Sequence, residues 1–490
     1  MKLFKKGLLS LAVLLTSSIA HGDEVTNNQS YHSSLSVEDC HVKGVKSYVR
    51  CGKLTVPENY QKPKDKQIEL NFVILPAIDN SEGLEPMMFL AGGPGQAATE
   101  LVGNIRQSFN ETRKTRDIIM VDQRGTGKSA PLECKDIEIP DPYTSITEEL
   151  NLDDVKRCVT QFEYDLSQFS SENAIRDFEQ VRLALGHEQI NLYGGSYGTR
   201  AALVYMRLFP KSLRSVVLDS VGPIEVPIGV FGQSAARAFD IVIDNCKNDE
   251  ACNKAYPNVK QEYKQLIARL EKGPTSINVT HPRLGTKTEL VLTKGKFTSQ
   301  IRMMLYSPNM HSMIPLIINQ TYLENYSPLL GFLAATSQGM GIYEAVLFNI
   351  ACNEDFPRIT NAQWADDAKN PLDGELSQLA FTAVCPLWPK YQVSEAFYQP
   401  VTADIPTLIL SGNMDPVTPP SNGDFSDKTL PNSRHIVDMN SAHIVNTTKC
   451  SSKMIREFFD NIDPQAVDAS CLEDSPKPSF VPSLNGGFPQ

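Results

Sequence analysis

Short apolar runs closed by turn residues alternate with stretches of helical periodicity along much of the chain. Ile68–Leu75, Met87–Ala91 and Asp117–Val121 are short, apolar and followed by Gly-rich turns, the pattern of buried strands in a largely parallel sheet. From Ser171 to Leu185 the residues Ala174, Phe178, Val181 and Leu185 fall at helical spacing, with Ser171 a candidate N-cap and Gly186 just past the end. A strand at Ile190–Tyr193 follows, then a Gly194–Gly198 turn, a helical stretch ending before Pro210, and a strand at Ser215–Leu218. Strand, helix and strand in this order predict βαβ architecture.

The pattern breaks at Pro223. From there to about Val401 helical periodicity dominates, Gly-bounded strand turns are lacking, and apolar stretches occur at Phe231–Ile243, Met313–Ile318 and Tyr343–Ile350. Strand signals return at Thr407–Leu410 and Arg434–Val437, so the first fold is resumed after an inserted, mainly helical cap. The expected division is 1–20 as a signal peptide, 21–222 and 402–473 as two parts of one α/β domain, 223–401 as the cap, and 474–490 as a tail.

At 490 residues, with 41% hydrophobic and 21% charged, the chain is ordinary globular material, neither disordered nor a multi-span membrane protein. Lys2, Lys5 and Lys6 precede an apolar run from Leu8 to Leu15 and the small residues of Ser18-Ile19-Ala20, the layout of a cleaved secretory signal. That run is shorter than the ~20 apolar residues a membrane span needs, so no stable membrane insertion is expected. Loss of the three lysines takes the formal charge from −11 to −14, which argues against nucleic acid and anionic lipid as partners. The ten cysteines fall into local pairs, Cys40/Cys51, Cys134/Cys158, Cys246/Cys252, Cys352/Cys385 and Cys450/Cys471. An even count with no Cys-x-x-Cys and no clustered histidine favours disulfides over a metal site, and with them a secreted or periplasmic location.

Gly194-Gly195-Ser196-Tyr197-Gly198 is a G-x-S-x-G motif between a predicted strand and a predicted helix, the context that makes Ser196 a candidate nucleophile. A serine needs a base, and in this arrangement serine, acid and histidine follow in chain order. Of the histidines beyond the insertion, His435 lies within a predicted strand and His443 in the loop after it, so His443 is the proposed base. Asp415, in the loop after Thr407–Leu410, is the proposed acid, with Asp424, Asp427 and Asp438 as solvated loop or strand-end competitors. The glycines of Ala91-Gly92-Gly93-Pro94-Gly95 let backbone amides approach an oxyanion, for which Gly93 and Tyr197 are proposed. Gly125-Thr126-Gly127-Lys128-Ser129 looks like the end of a P-loop, yet Asp122 stands where the first glycine belongs, so no nucleotide is expected.

Taken together, Gly92-Gly93-Pro94-Gly95, Asp122-Gln123-Arg124-Gly125-Thr126-Gly127-Lys128-Ser129, Gly194–Thr199, Gly412 and Asp415-Pro416-Val417-Thr418-Pro419 resemble the α/β-hydrolase peptidases of the prolyl and tripeptidyl aminopeptidase family. The resemblance implies an α/β-hydrolase fold with a mostly parallel sheet and a helical cap. It also implies a serine exopeptidase acting on peptides with a free N-terminus, without metal or organic cofactor. Cys352-Asn353-Glu354-Asp355 resembles the acidic segment of the secreted members, which makes Glu354, then Asp355, the candidates for holding the substrate ammonium. Ala91 departs from the histidine many relatives carry there, and Ser441-Ala442 from the glycine often found before the catalytic histidine. Rival readings are an esterase or lipase on the same fold, and a hydrolase fold retained only for binding.

Overall fold

The computed structural model describes residues 30–134, 151–280, 285–336, 341–370, 372, 374–475, 477 and 479–485, so the expected signal peptide lies outside the described residues. Eleven strands are present among them: β1 (Ser34–Cys40), β2 (Val49–Pro57), β3 (Gln67–Leu75), β4 (Met87–Leu90), β5 (Ile118–Val121), β6 (Ile190–Gly195), β7 (Leu213–Asp219), β8 (Thr275–Thr280), β9 (Lys287–Leu292), β10 (Thr407–Gly412) and β11 (Ser433–Asp438). Nine form one sheet in the order β1-β2-β3-β5-β4-β6-β7-β10-β11. From β5 to β11 every pairing is parallel, whereas β1, β2 and β3 add antiparallel at one edge. This is the expected α/β-hydrolase sheet.

β4, β5, β6 and β10 are buried along their whole length, which is why they read as unbroken apolar runs. One face is covered by α1 (Ser171–Ala184) and α2 (Tyr197–Leu208), whose Ile175, Phe178, Ala202 and Met206 pack on Met88, Ile119, Leu192 and Val216. The other face carries Phe109 and the C-terminal helix 449–461, with Ile455, Phe458 and Phe459 against Leu408, Leu410 and Val217.

Between β7 and β10 lie α3 (Gly232–Asn248), α4 (Val259–Glu271), α5 (Lys294–Met304), α6 (Ile314–Tyr322), α7 (Glu344–Ile350) and α8 (Gly374–Val384), among others. Helices α3 to α6 enclose a core of their own around Phe239, Tyr263, Phe297, Ile301 and Ile317. Segments further along instead join the core of the large sheet through Val346, Ile350, Trp364, Phe381 and Trp388.

Two features carry no clear signal in the sequence, and two expectations need correction. The insertion contains a β8–β9 hairpin, whose alternation of Ile277, Val279, Leu290 and Leu292 inward with polar residues outward is too short to stand out between helices. β1 and β2 were not foreseen either: β1 is an edge strand with almost no buried side chain and so carries no apolar run. Ser170, not Ser171, caps α1 by accepting from the Asn173 amide at 3.3 Å. The expected tail is not free throughout, because Phe480 is buried in the insertion's core, the Val481 amide donates to the Ser312 carbonyl and the Val481 carbonyl accepts from Tyr256 Oη.

All five cysteine pairs are disulfide-bonded as read from the sequence: Cys40–Cys51, Cys134–Cys158, Cys246–Cys252, Cys352–Cys385 and Cys450–Cys471.

The Asp122–Ser129 motif is a structural knot. Asp122 accepts from the Thr99 and Lys128 amides, Thr99 Oγ1 and Asn71 Nδ2, and a Cβ at Gly127 would lie 2.2 Å from its Oδ2. Arg124, fully buried, donates through Nε (2.7 Å) and Nη2 (2.6 Å) to Asp177 of α1 and also to the carbonyls of Pro57, Glu58 and Gln168. Removing one partner of such a pair strands the other charge in the core, at a cost of about 3–5 kcal/mol. Arg124→Met is therefore expected to lower unfolding stability by that amount in urea titration, and Asp177→Leu added to it to recover part of the loss. A change below about 1 kcal/mol would contradict this.

Candidate active site

β6 runs straight into α2, and Ser196 is the single residue between them, held at φ 56°, ψ −123°. Local sterics impose the turn. A Cβ at Gly194 would come within 2.2 Å of the Gly198 carbonyl oxygen, and one at Gly198 within 2.2 Å of the Leu90 oxygen, so both positions require glycine. The strained serine is tied down by its amide, which donates to the Asp219 carbonyl at 3.0 Å.

The structure brings His443 and Asp415 together, with Nδ1 2.9 Å from Oδ2 and 3.1 Å from Oδ1. Asp415 is fully buried and also accepts from the Val417 and Thr418 amides at 2.9 Å and from Thr418 Oγ1 at 2.8 Å. Burial pushes its carboxyl up, but the facing His443 imidazole and those amides outweigh burial and leave it below its ordinary value. A charged, fully bonded acceptor fixes Nδ1 as the protonated nitrogen and leaves Nε2 as the basic one.

The loop bearing His443 is anchored by residues that sequence reasoning missed. Asp219 accepts from the Val445 and Asn446 amides and from Tyr193 Oη, and Ser220 Oγ accepts from the Ile444 amide. Gly412 lets the same loop pass: a Cβ there would lie 2.0 Å from the Ala442 oxygen. Both Asp219 and Ser220 follow a predicted strand, which is the one signal that could have flagged them.

The competing acids are engaged elsewhere. Asp424 faces His435 Nδ1 at 2.9 Å, Asp427 accepts from Ser433 Oγ, and Asp438 accepts from Ser441 Oγ. Asp438 ends its strand as expected but is buried, not solvated. His435 bridges Asp424 and Ser411.

Ser196 and His443 line one cavity of about 450 Å³. Its floor is Phe89, Ile105, Phe109 and Tyr193 of the sheet domain, and its roof Phe231, Tyr306, Ile342, Leu347 and Phe381 of the insertion. The Tyr306 ring stands edge-on to His443 at 5.1 Å, and the Arg302 guanidinium lies over both Phe231 and Tyr306. Gly92 and Gly93 form the wall beside Ser196, where a Cβ on Gly92 would be 3.3 Å from the serine Cβ, and Gly93 sits at φ 108°. Tyr197 is the first residue of α2, so its N–H belongs to the unpaired first turn of that helix, at the positive end of the dipole.

Glu354 and Asp355 lie in a π turn, Ala351–Asp355, that continues α7, and neither is among the residues lining that cavity. Asp355 is clamped by Arg200 at 2.8 and 2.9 Å and by Arg358 at 2.7 Å, so its charge is already neutralised. Glu354 accepts from the Ser171 amide (2.8 Å) and Oγ (2.6 Å) and from Tyr391 Oη (3.2 Å), and borders a separate polar cleft. The placement gives neither carboxylate an open face toward Ser196, so an amine-holding role does not follow from it. Ser171 and Arg200, their partners from the sheet domain, lie more than 150 residues away in sequence, beyond the reach of a motif.

Among the described residues no group of three or more His, Cys, Asp or Glu is arranged to hold a metal ion, and no helix is long and apolar enough to cross a membrane.

Residues 85–254 match the α/β hydrolase fold family, and residues 374–471 match the family described as TAP-like protein. The chain is 31% identical over 225 residues to a tripeptidyl aminopeptidase of Streptomyces lividans, covering 41% of each chain. It thus spans about two fifths of the length of that relative. It is 24% identical over 403 residues to serine protease Hip1 of Mycobacterium tuberculosis, covering 75% of this chain and 76% of the other. Against the proline iminopeptidase of Aeromonas sobria it is 32% identical over 177 residues, 35% of this chain and 37% of the relative.

Proposed function

From the premise that this chain has the α/β-hydrolase fold and a TAP-like C-terminal region, we propose that it is a serine exopeptidase hydrolysing peptide bonds near a free N-terminus. The observation that carries the reading is the convergence of Ser196, on its strained turn, with the His443–Asp415 pair in one roofed cavity.

In this reading Ser196 Oγ attacks the scissile carbonyl while His443 Nε2 takes its proton, and Asp415 stabilises the imidazolium. The oxyanion forms beside the Gly93 and Tyr197 amides. His443 then hands the proton to the departing amine, leaving an ester on Ser196. A water molecule, deprotonated by the same nitrogen, cleaves that ester, and the proton returns to Ser196 as it leaves. Five disulfides support a secreted or periplasmic setting for this chemistry. The division into a sheet domain, 21–222 and 402–473, and a roofing cap, 223–401, belongs to the same proposal.

The apolar character of the cavity favours one alternative, an esterase with the same three residues. Rates on aminoacyl and tripeptidyl arylamides, each with a free and an acetylated N-terminus, separate the two. The exopeptidase reading expects acetylation to lower kcat/KM by at least about tenfold, equivalent to one unpaired charge interaction. Equal rates, or turnover of simple esters alone, would transfer the function to the esterase.

A further inference from the structure

We propose that Glu354, acting through the Ser171 hydroxyl, is a positioning residue that fixes Tyr197 and hence the oxyanion-facing amide next to Ser196. The proposal rests on the reading of Ser196 as nucleophile and assigns Glu354 a role other than holding substrate. Its basis is a continuous relay in the core: Tyr197 Oη lies 2.7 Å from Ser171 Oγ, which lies 2.6 Å from Glu354 Oε2, while the Ser171 amide donates to Glu354 Oε1 at 2.8 Å. All three residues are buried. A carboxylate only accepts, so Ser171 Oγ must donate to it, and the Tyr197 hydroxyl must in turn donate to Ser171. The charge of Glu354 therefore sets the direction of every proton in the chain and holds the side chain whose backbone N–H faces the oxyanion.

The next residue strengthens the grip, because Asp355 binds Arg200 one turn along α2. Two consecutive residues of one π turn in the insertion thus hold the first turn of the nucleophile helix, and the Cys352–Cys385 disulfide pins that turn. Titratable and charged neighbours of Glu354 are Tyr197 and Arg200 from α2, Tyr391 and Tyr398 from the segment before β10, Asp355 from its own turn and Arg358 from the turn that follows. Glu172 and Arg176 of α1 line the cleft that Glu354 borders. Burial, more than any of these, pushes the Glu354 carboxyl up to about 7. Protonation there lets Glu354 donate to Ser171 and reverses the relay, so turnover is high with Glu354 charged and falls as pH drops through that value.

Glu354→Gln mimics the protonated state without loss of volume, and Tyr197→Phe removes the far end of the relay but keeps the amide. Each is expected to lower kcat about tenfold at pH 8 with KM changed less than twofold, and the double variant to lose no more than either single one. Wild type is expected to show an acid-side fall in log kcat/KM from protonation of Glu354 that Glu354→Gln lacks. Variants that melt at a lower temperature yet keep wild-type kcat per folded molecule and the wild-type pH profile would overturn the proposal and leave the relay as mere packing. Wild type that is folded but neither turns over arylamides nor labels at Ser196 with a fluorophosphonate would instead overturn the nucleophile reading, and the proposal with it.

Discussion

Ser196→Ala is expected to lower kcat/KM on any cleaved arylamide by about 10⁴- to 10⁶-fold while leaving the protein folded. The size follows from what remains. Without Oγ no acyl-enzyme forms, and the Gly93 and Tyr197 amides and the cavity can assist only direct attack by water. Folding is unaffected because the cost at this position lies in the backbone, set by Gly194 and Gly198, and alanine adds no atom to the crowded turn. The purified variant should match wild type in circular dichroism and thermal melting. Residual activity above about one hundredth of wild type would mean that another group carries the reaction.

Asp415→Asn is expected to reduce kcat by about 10⁴-fold near neutral pH. Asparagine fits the same volume and can still accept from the Val417 and Thr418 amides, so the loop after β10 is retained. What changes is the group offered to His443. An amide N–H facing Nδ1 selects the tautomer with its proton on Nε2, the wrong nitrogen for taking one from Ser196, and no negative charge remains to stabilise the imidazolium. The folded carboxyl of Asp415 is held below its ordinary value. Its contribution to stability is accordingly complete at neutral pH and is lost only as pH falls through that depressed value, below the usual carboxylate range. Wild type and Asp415→Asn should therefore converge in melting temperature on acidification. A loss of kcat under tenfold would remove Asp415 from the mechanism.

What sequence could reveal depended on whether the cause was local. The turn at Ser196 was legible because the clashes that demand Gly194 and Gly198 arise within a few residues and against the adjacent strand end. The buried parallel strands were legible because burial on both faces writes itself as an apolar run. β1, exposed along its length, and the β8–β9 hairpin, half-buried and short, leave no such trace. Asp415 and His443 followed from chain order and loop position, yet Asp219 and Ser220, which anchor the His443 loop, act across tertiary contacts that no spacing encodes. Glu354 and Asp355 are singled out only by the resemblance of Cys352-Asn353-Glu354-Asp355 to a family segment. Their partners, Ser171 and Arg200, come from two helices of the sheet domain, so only the folded chain shows what the pair holds.

The most direct test of the central claim is covalent capture: incubate the folded protein with a fluorophosphonate and map the adduct by peptide mass spectrometry. The account predicts one adduct, on Ser196, forming at least about a hundredfold more slowly in His443→Ala, since an unactivated serine hydroxyl is a weak nucleophile at neutral pH. An adduct on a different serine, no adduct on folded wild type, or labelling at an unchanged rate without His443 would contradict it.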